Sequence, residues 1–288
     1  MEITKNNLTF IIVTFKSSKV IIDCLNSLPR EFPKLIVENS SDKDLKKKLE
    51  QNYDNLKVIL SNNIGMGPGN NIGIKECKTD YVYIINPDVR FKNNTMNELI
   101  SSIKNINDFA ILSPISNKDQ YPNYKLDSNN FNLEKNILPV KEIDGYSMII
   151  NKKKFVDQNF FDENFFMYLE NNDLCKRVRG NDGSIFVAPN AKINHLAAKA
   201  VNVKFADEVE FSRNWHWIWS KFYYNKKHFG FLKAIIVCLP NYFSAVLKFI
   251  FYLLINNKIK KKIYYNRASG FFNALIGKSS WYRPNLQD

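Results

Sequence analysis

The feature that most restricts how this chain can fold is an alternation in its first 115 residues. Short apolar runs, LTFIIVTF (8–15), LIVEN (35–39), LKVIL (56–60), YVYIIN (81–86) and FAILS (109–113), exchange with helix-like stretches near 20–28, 42–51, 70–77 and 94–106. A run that is apolar at every position is buried on both faces, the condition of a strand inside a parallel sheet. Strands exchanging with helices at this period predict an α/β fold with a doubly wound, mostly parallel sheet, whose ligands bind beyond the carboxyl ends of the strands.

The polar residues collect at those ends. Strand one runs into Thr14-Phe15-Lys16, strand two into Glu38-Asn39-Ser40-Ser41, strand three into SNNIGMGPGNNIGI (61–74), and strand four into Asn86-Pro87-Asp88. An acid with hydroxyls suits a ribose or a base edge. Gly65, Gly67 and Gly69 permit close backbone approach to a ligand, with Asn70 near the start of the next helix, although GMGPGN is neither GxGxxG nor a P-loop. Asp88 at a strand end suits a divalent cation, a hard ion that takes oxygen ligands and brings phosphates with it. One nucleotide-type ligand explains all these tips together.

Composition narrows the class. With 45% hydrophobic and 24% charged residues, the 288-residue chain can bury a full core. Its four cysteines are scattered with no CxxC pair, against a zinc site or a disulfide framework and in keeping with a reducing compartment. Leu8–Phe15 reads as a first buried strand and not a signal peptide.

The segment FFMYLENNDLCKRV (165–178) sets Glu170 and Asp173 three apart where an aromatic run meets a helix. Acids at a helix start favour its dipole, and either acid is also placed to be a catalytic carboxylate. On a helix Glu170, Asp173 and Arg177 share one face, so Arg177 can brace one acid while the other enters a site.

In order along the chain, VTFKSS (13–18), VENSS (37–41), NNIGMGPGNNIGI (62–74), INPDV (85–89), DGYSMII (144–150), FFMYLENNDLC (165–175) and VAPNAKINH (187–195) together resemble the inverting family 2 glycosyltransferases of the GT-A fold, the rhamnosyltransferase-like branch in particular. The resemblance covers roughly residues 8–200. It implies transfer of a sugar from a nucleotide-diphosphate donor, UDP- or dTDP-linked, to a hydroxyl of a glycan or lipid-linked glycan. It further implies that Thr14, Phe15, Glu38, Asn63, Gly65, Gly69, Asn70 and Asn86 hold the donor, and that Asp88 binds Mg²⁺ or Mn²⁺ with His195 completing the site. Glu170, with Asp173 as competitor, is the implied general base, and Asp144 and Tyr146 are candidates for the acceptor pocket. Asn171 stands where relatives often carry an acid. A scaffold of the same fold with catalysis lost, and a sugar nucleotidyltransferase, are the rival readings.

The charge is lopsided. Residues 211–288 hold thirteen Lys/Arg and one acid, +12 of the formal +13. The chain divides in this reading into a catalytic domain, 1–204, and a basic, aromatic-rich helical region, 205–288, that holds all four tryptophans. The uncharged run 234–247 is too short to span a bilayer. After Pro240, Asn241, Ser244, Lys248, Tyr252 and Asn256 recur on one face, which predicts an amphipathic helix in a membrane interface, with aromatic anchors and KIKKK (258–262) meeting anionic lipid; a helical lid packing on the catalytic domain is the alternative. That places the protein in the cytoplasm, peripheral to the inner face of the membrane. No nucleic-acid module is present to take the charge instead. The segment 116–141 reads as a long irregular connection.

Overall fold

A computed structural model describes residues 2–104, 106, 108–116, 122–127, 136–155, 159–196 and 203–286. The chain forms two compact units. The first comprises Met1–Asp162 and Asn171–Val201; the second comprises Glu163–Glu170 and Asn202–Asp288.

The first unit is built on one sheet. Its strands are β1 (Leu8–Thr14), β2 (Lys34–Glu38), β3 (Leu56–Leu60), β4 (Tyr81–Ile85), β5 (Val89–Phe91), β6 (Ile111–Ser116), β7 (Tyr124–Leu126), β8 (Leu138–Ile143), β9 (Ser147–Asn151) and β10 (Ile185–His195), in the order β3-β2-β1-β4-β9-β6-β10-β8-β7, with β5 pairing β10. The half β3-β2-β1-β4 is parallel. β9 then enters antiparallel between β4 and β6, and β10 runs parallel to β6. Helices α1 (Ile21–Ser27), α2 (Lys43–Asn52), α3 (Met66–Glu76) and α4 (Thr95–Lys104) make the connections.

The continuous apolar runs are explained by burial on both faces. Every residue of β1 is buried. Because side chains alternate along a strand, Leu8, Phe10 and Ile12 enter one core while Ile11 enters the other. Phe10 stacks on Tyr83 with ring centroids 5.0 Å apart. On the opposite face α3 lies so close to β1 that a Cβ on Gly73 would sit 2.5 Å from Ile11 Cγ2. The stretch read as irregular, 116–141, contains β7 and the start of β8; residues 117–121 and 128–135 lie outside the described residues.

The second unit contains α6 (Ala206–Phe229), α7 (Phe231–Leu254) and α8 (Lys258–Leu275). Its core is Trp215, Ile218, Trp219, Phe222, Ala234, Cys238, Phe271 and Ala274. Trp215 and Trp219 are thus core residues and not membrane anchors; Trp281 is half exposed. Gly230, with φ 88°, makes the α6–α7 turn.

α7 departs from expectation in one way: it passes through Pro240 without a break and is long and apolar enough, by length and composition, to cross a membrane, whereas the uncharged run alone is too short. Ala234, Cys238 and Ala245 are buried. Of the polar series, Asn241 and Tyr252 meet neighbouring helices, Lys221 donating to Asn241 Oδ1 at 2.7 Å and Tyr252 stacking on Tyr264, while Ser244, Lys248 and Asn256 are exposed. Leu232, Ile236, Phe243, Leu247, Ile250 and Leu254 form the opposite, outward stripe, with Leu232 and Leu254 at 75% and 79% exposure.

All four cysteines are free and buried. Burial pushes the thiols of Cys24 and Cys175 up to about 12 and those of Cys77 and Cys238 to about 11.

Candidate functional site

Three neighbouring strands, β2, β1 and β4, bring their carboxyl ends together, and the Asn39 N–H donates to the Thr14 carbonyl at 2.8 Å to join two of them. Thr14 Oγ1, Asn39 Oδ1 and Asp88 Oδ1, one from the end of each strand, are buried and lack a hydrogen-bond partner. Leaving such a group unmet costs about 1–3 kcal/mol, so buried polar atoms are nearly always paired within a fold or by what it binds. Three such oxygens stand on adjacent strand tips.

The surrounding loops are tightly built. Glu38 is fully buried, and both its oxygens are engaged by its own turn: Oε1 accepts from the Ser40 hydroxyl and Oε2 accepts from the Asp42 N–H at 2.6 Å. Phe15 N–H donates to Ser17 Oγ, and Lys16 adopts φ 51°. The Asn39 amide donates to the Gly65 carbonyl at 2.9 Å, tying β2 to the entry of α3. Gly65 itself has φ 105°, which favours glycine. The close approach that Gly69 permits is to β1 and to Asn39: a Cβ there would lie 2.9 Å from Val13 Cγ1 and 3.2 Å from Asn39 Nδ2. Asn70 is buried on α3, and Asn63 is half-buried in the loop before it.

On the β4 side the structure gathers residues far apart in sequence. His195 at the end of β10 stands opposite Val89 of β5. Its Nε2 lies 3.4 Å from Asp88 Oδ1, and its ring stacks on Tyr146 at 3.9 Å between centroids. The Leu196 N–H donates to the Asp88 carbonyl, and the Asn86 N–H to the Tyr146 carbonyl. Asp144 is exposed on the same β8–β9 turn as Tyr146.

A buried carboxylate oxygen without a hydrogen-bond partner, with an imidazole beside it, fits a divalent cation. Among the described residues no cluster of three or more His, Cys, Asp or Glu could hold one. The protein's own ligands would therefore be Asp88 and His195, and phosphate oxygens and water would complete the shell, the usual way magnesium is held.

α5 (Glu170–Gly180) distinguishes the two acids. Asp173 is fully buried and pairs with Arg177 Nε at 2.8 Å, while the Arg177 guanidinium also donates to the carbonyls of Asn159 and Phe160. Glu170 Oε2 is buried and lacks a partner, and burial pushes the carboxyl up from 4.5 to about 7. Just before Glu170, Tyr168 and Leu169 both adopt left-handed φ, 70° and 66°. Each such non-glycine residue costs on the order of 1–3 kcal/mol.

Two residues here have contacts that the sequence does not announce. Asn39 carries one of the orphan oxygens; its only signal is its place beside Glu38 in VENSS. Asn171 donates its amide to the Ile143 carbonyl at 2.7 Å and packs on Gly145, pinning this end of α5 to the β8–β9 turn. A carboxylate could not make that donation.

The sequence model of Glycosyl transferase family 2 matches residues 9–172. The low-salt glycan biosynthesis hexosyltransferase Agl10 of Haloferax volcanii is 28% identical over 193 residues, 60% of this chain and 62% of that protein. The rhamnosyltransferase WbbL of Escherichia coli K12 is 26% identical over 188 residues, 56% of this chain and 71% of that one. Among solved structures, the mannosyltransferase PcManGT of Pyrobaculum calidifontis, in complex with GDP-Man and Mn²⁺, aligns over 93% of this chain and 87% of its own with a TM-score of 0.56 at 11% identity. GalNAc-T7 with UDP, GalNAc and Mn²⁺ gives 0.54 at 14% identity, over 66% of this chain and 43% of that one. This chain thus spans less than two thirds of the length of Agl10 and of GalNAc-T7. The structural likenesses establish a GT-A fold. The family match covers more than half the chain and includes Thr14, Asn39 and Asp88, though not His195, and the chain belongs to glycosyl transferase family 2.

Proposed function

We propose that this protein is a metal-dependent, inverting glycosyltransferase that moves a sugar from a nucleotide diphosphate to a hydroxyl of a glycan or lipid-linked glycan at a membrane surface. The observation that carries this reading is the set of unpartnered buried oxygens on three adjacent strand ends, Thr14, Asn39 and Asp88. Relatives named as a hexosyltransferase and a rhamnosyltransferase, and fold neighbours solved with UDP or GDP-Man and Mn²⁺, support it.

In this reading Thr14, Asn39 and the start of α3 from Gly65 to Asn70 grip the nucleoside, and Glu38 holds their turn rigid. Asp88 and His195 would hold Mg²⁺ or Mn²⁺, which when bound supplies Lewis-acid neutralisation of the departing diphosphate. Glu170 takes the proton of the acceptor hydroxyl. The hydroxyl oxygen then bonds to the anomeric carbon from the side opposite the diphosphate as the old C–O bond breaks, so configuration inverts. A carboxyl raised to about 7 is well matched to accept a proton near neutral pH. Asp173, held by Arg177, keeps α5 in place.

The outward stripe of α7 and the lysines at 258 and 260–262 support docking on anionic lipid. Because α7 packs on α6 and α8, whose surfaces carry lysines, we place it lying in the interface and not crossing it.

The test is binding of UDP, dTDP, GDP and CDP, with and without Mn²⁺, to wild type and Asp88→Ala. Metal-dependent binding of one nucleotide that the variant loses is the expected result. Failure of all four to bind refutes the reading.

A further inference from the structure

Residues 163–170 contain no strand, and only their last residue is helical. Yet they cluster with α6–α8 and not with the sheet unit that precedes and follows them in the chain. Specific contacts bring them there. Phe165 meets Tyr223 edge-on at 4.9 Å. Phe166 stacks on the His216 ring at 4.4 Å, and the Arg283 guanidinium covers it 3.9 Å from the ring centroid. Ser220 Oγ donates to the Met167 carbonyl at 2.7 Å. The left-handed pair Tyr168–Leu169 follows, and Glu170 opens α5.

His216 is itself gripped from the chain's end. It is fully buried, with Nε2 2.8 Å from the Tyr282 carbonyl and Nδ1 2.9 Å from the Ser280 hydroxyl. A carbonyl only accepts, so Nε2 carries the proton and the Ser280 hydroxyl donates to Nδ1. The Tyr282 ring stacks on Trp215 at 6.0 Å, and its hydroxyl accepts from Asn266. The terminal stretch is thereby locked to α6 and α8.

We infer that Ser280–Arg283, acting through His216 and Phe166, is a clamp that positions Glu170 by holding the strap Phe165–Met167 and the left-handed bend after it. The inference rests on the reading of Glu170 as the base. Two successive left-handed residues persist only where neighbours over-determine them, and the clamp supplies those neighbours. His216, Ser220 and Arg283 are positioning residues. Burial lowers His216 to about 3, so its ring stays neutral while Glu170 titrates. The charged groups beside the bend are Arg213 and Glu210 of α6, which with Glu170 act on the Tyr168 hydroxyl.

The test uses the full chain with Arg283→Ala, Arg283→Lys and Ser220→Ala, and Glu170→Gln alongside. Amide exchange over 165–172 and steady-state transfer with the nucleotide sugar selected by the binding screen are the readouts. Exchange should rise about tenfold in the two alanine variants and stay near wild type in Arg283→Lys, which keeps the cation over Phe166. In the alanine variants kcat should fall about tenfold with donor KM unchanged, and the ascending limb of the pH profile should move down from about 7 toward 4.5 as Glu170 meets water. Unchanged exchange overturns the inference, and so does raised exchange with kcat and pH profile unmoved. Turnover retained in Glu170→Gln overturns the base assignment instead, a separate failure because exchange reads the strap without reference to activity.

Discussion

Replacing Glu170 by glutamine removes a carboxyl whose titration the fold displaces to about 7. The folded state favours the protonated acid, whereas the unfolded chain ionises it at its ordinary 4.5. The resulting stabilisation is complete below 4.5, declines as pH rises, and is gone above about 7. Each pH unit in that window is worth about 1.4 kcal/mol, so wild type loses about 2.5 kcal/mol between pH 5 and pH 8 that the Glu170→Gln variant does not lose. Any constant cost of the substitution, such as an amide donor buried without an acceptor, cancels when the two pH values are compared. Urea unfolding followed by tryptophan fluorescence suits the measurement, because Trp215, Trp217, Trp219 and Trp281 all lie in the unit that also contains Glu170. A stability difference between wild type and variant that is the same at both pH values, within about 0.5 kcal/mol, refutes the burial argument. The same titration governs the proposed chemistry: near pH 6 only about a tenth of Glu170 is ionised, so turnover should be about a tenth of its plateau there.

Gly270→Ala should destabilise the helical unit by about 2 kcal/mol in the same urea assay, although alanine is the better helix former by about 1 kcal/mol. The added Cβ would stand 2.3 Å from the Trp215 carbonyl oxygen and 2.8 Å from Ile218 Cγ2, so α8 must move off α6; a neutral substitution contradicts this. Sedimentation with vesicles should show the full chain bound to anionic but not neutral lipid, with binding lost at high salt and on reversal of Lys260, Lys261 and Lys262 to Glu. Absence of binding to any vesicle removes the membrane proposal.

Much of the parallel half of the sheet is legible because β1, β2 and β4 are apolar at successive positions and buried on both faces. β10 is not, since Pro189, Asn190, Lys192 and Asn194 interrupt its apolar residues, and its pairing with β6 carries a register shift between Ala188 and Lys192. β5 and β7 have three residues each, too few to show a period. In the site, Thr14 and Asp88 could be placed because a strand end is a local property. Asn39 and Asn171 could not, because each acts through a carbonyl remote in sequence, Gly65 and Ile143. The polar series of α7 is legible, but which side faces protein depends on α6 and α8. Likewise the allegiance of 163–170 to the helices rests on His216, Ser220 and Arg283, which nothing in the strap's own sequence announces.

The burial of every thiol makes this protein a clock for its own opening. A thiol held near 11 or 12 in a closed interior is inert to alkylation at neutral pH, so modification proceeds only from molecules that have transiently opened. Cys24, Cys77 and Cys175 keep time in the sheet unit and Cys238 in the helices. Mass spectrometry of a slow alkylation series would then read the breathing rates of the two bodies separately, without a mutation or an attached dye.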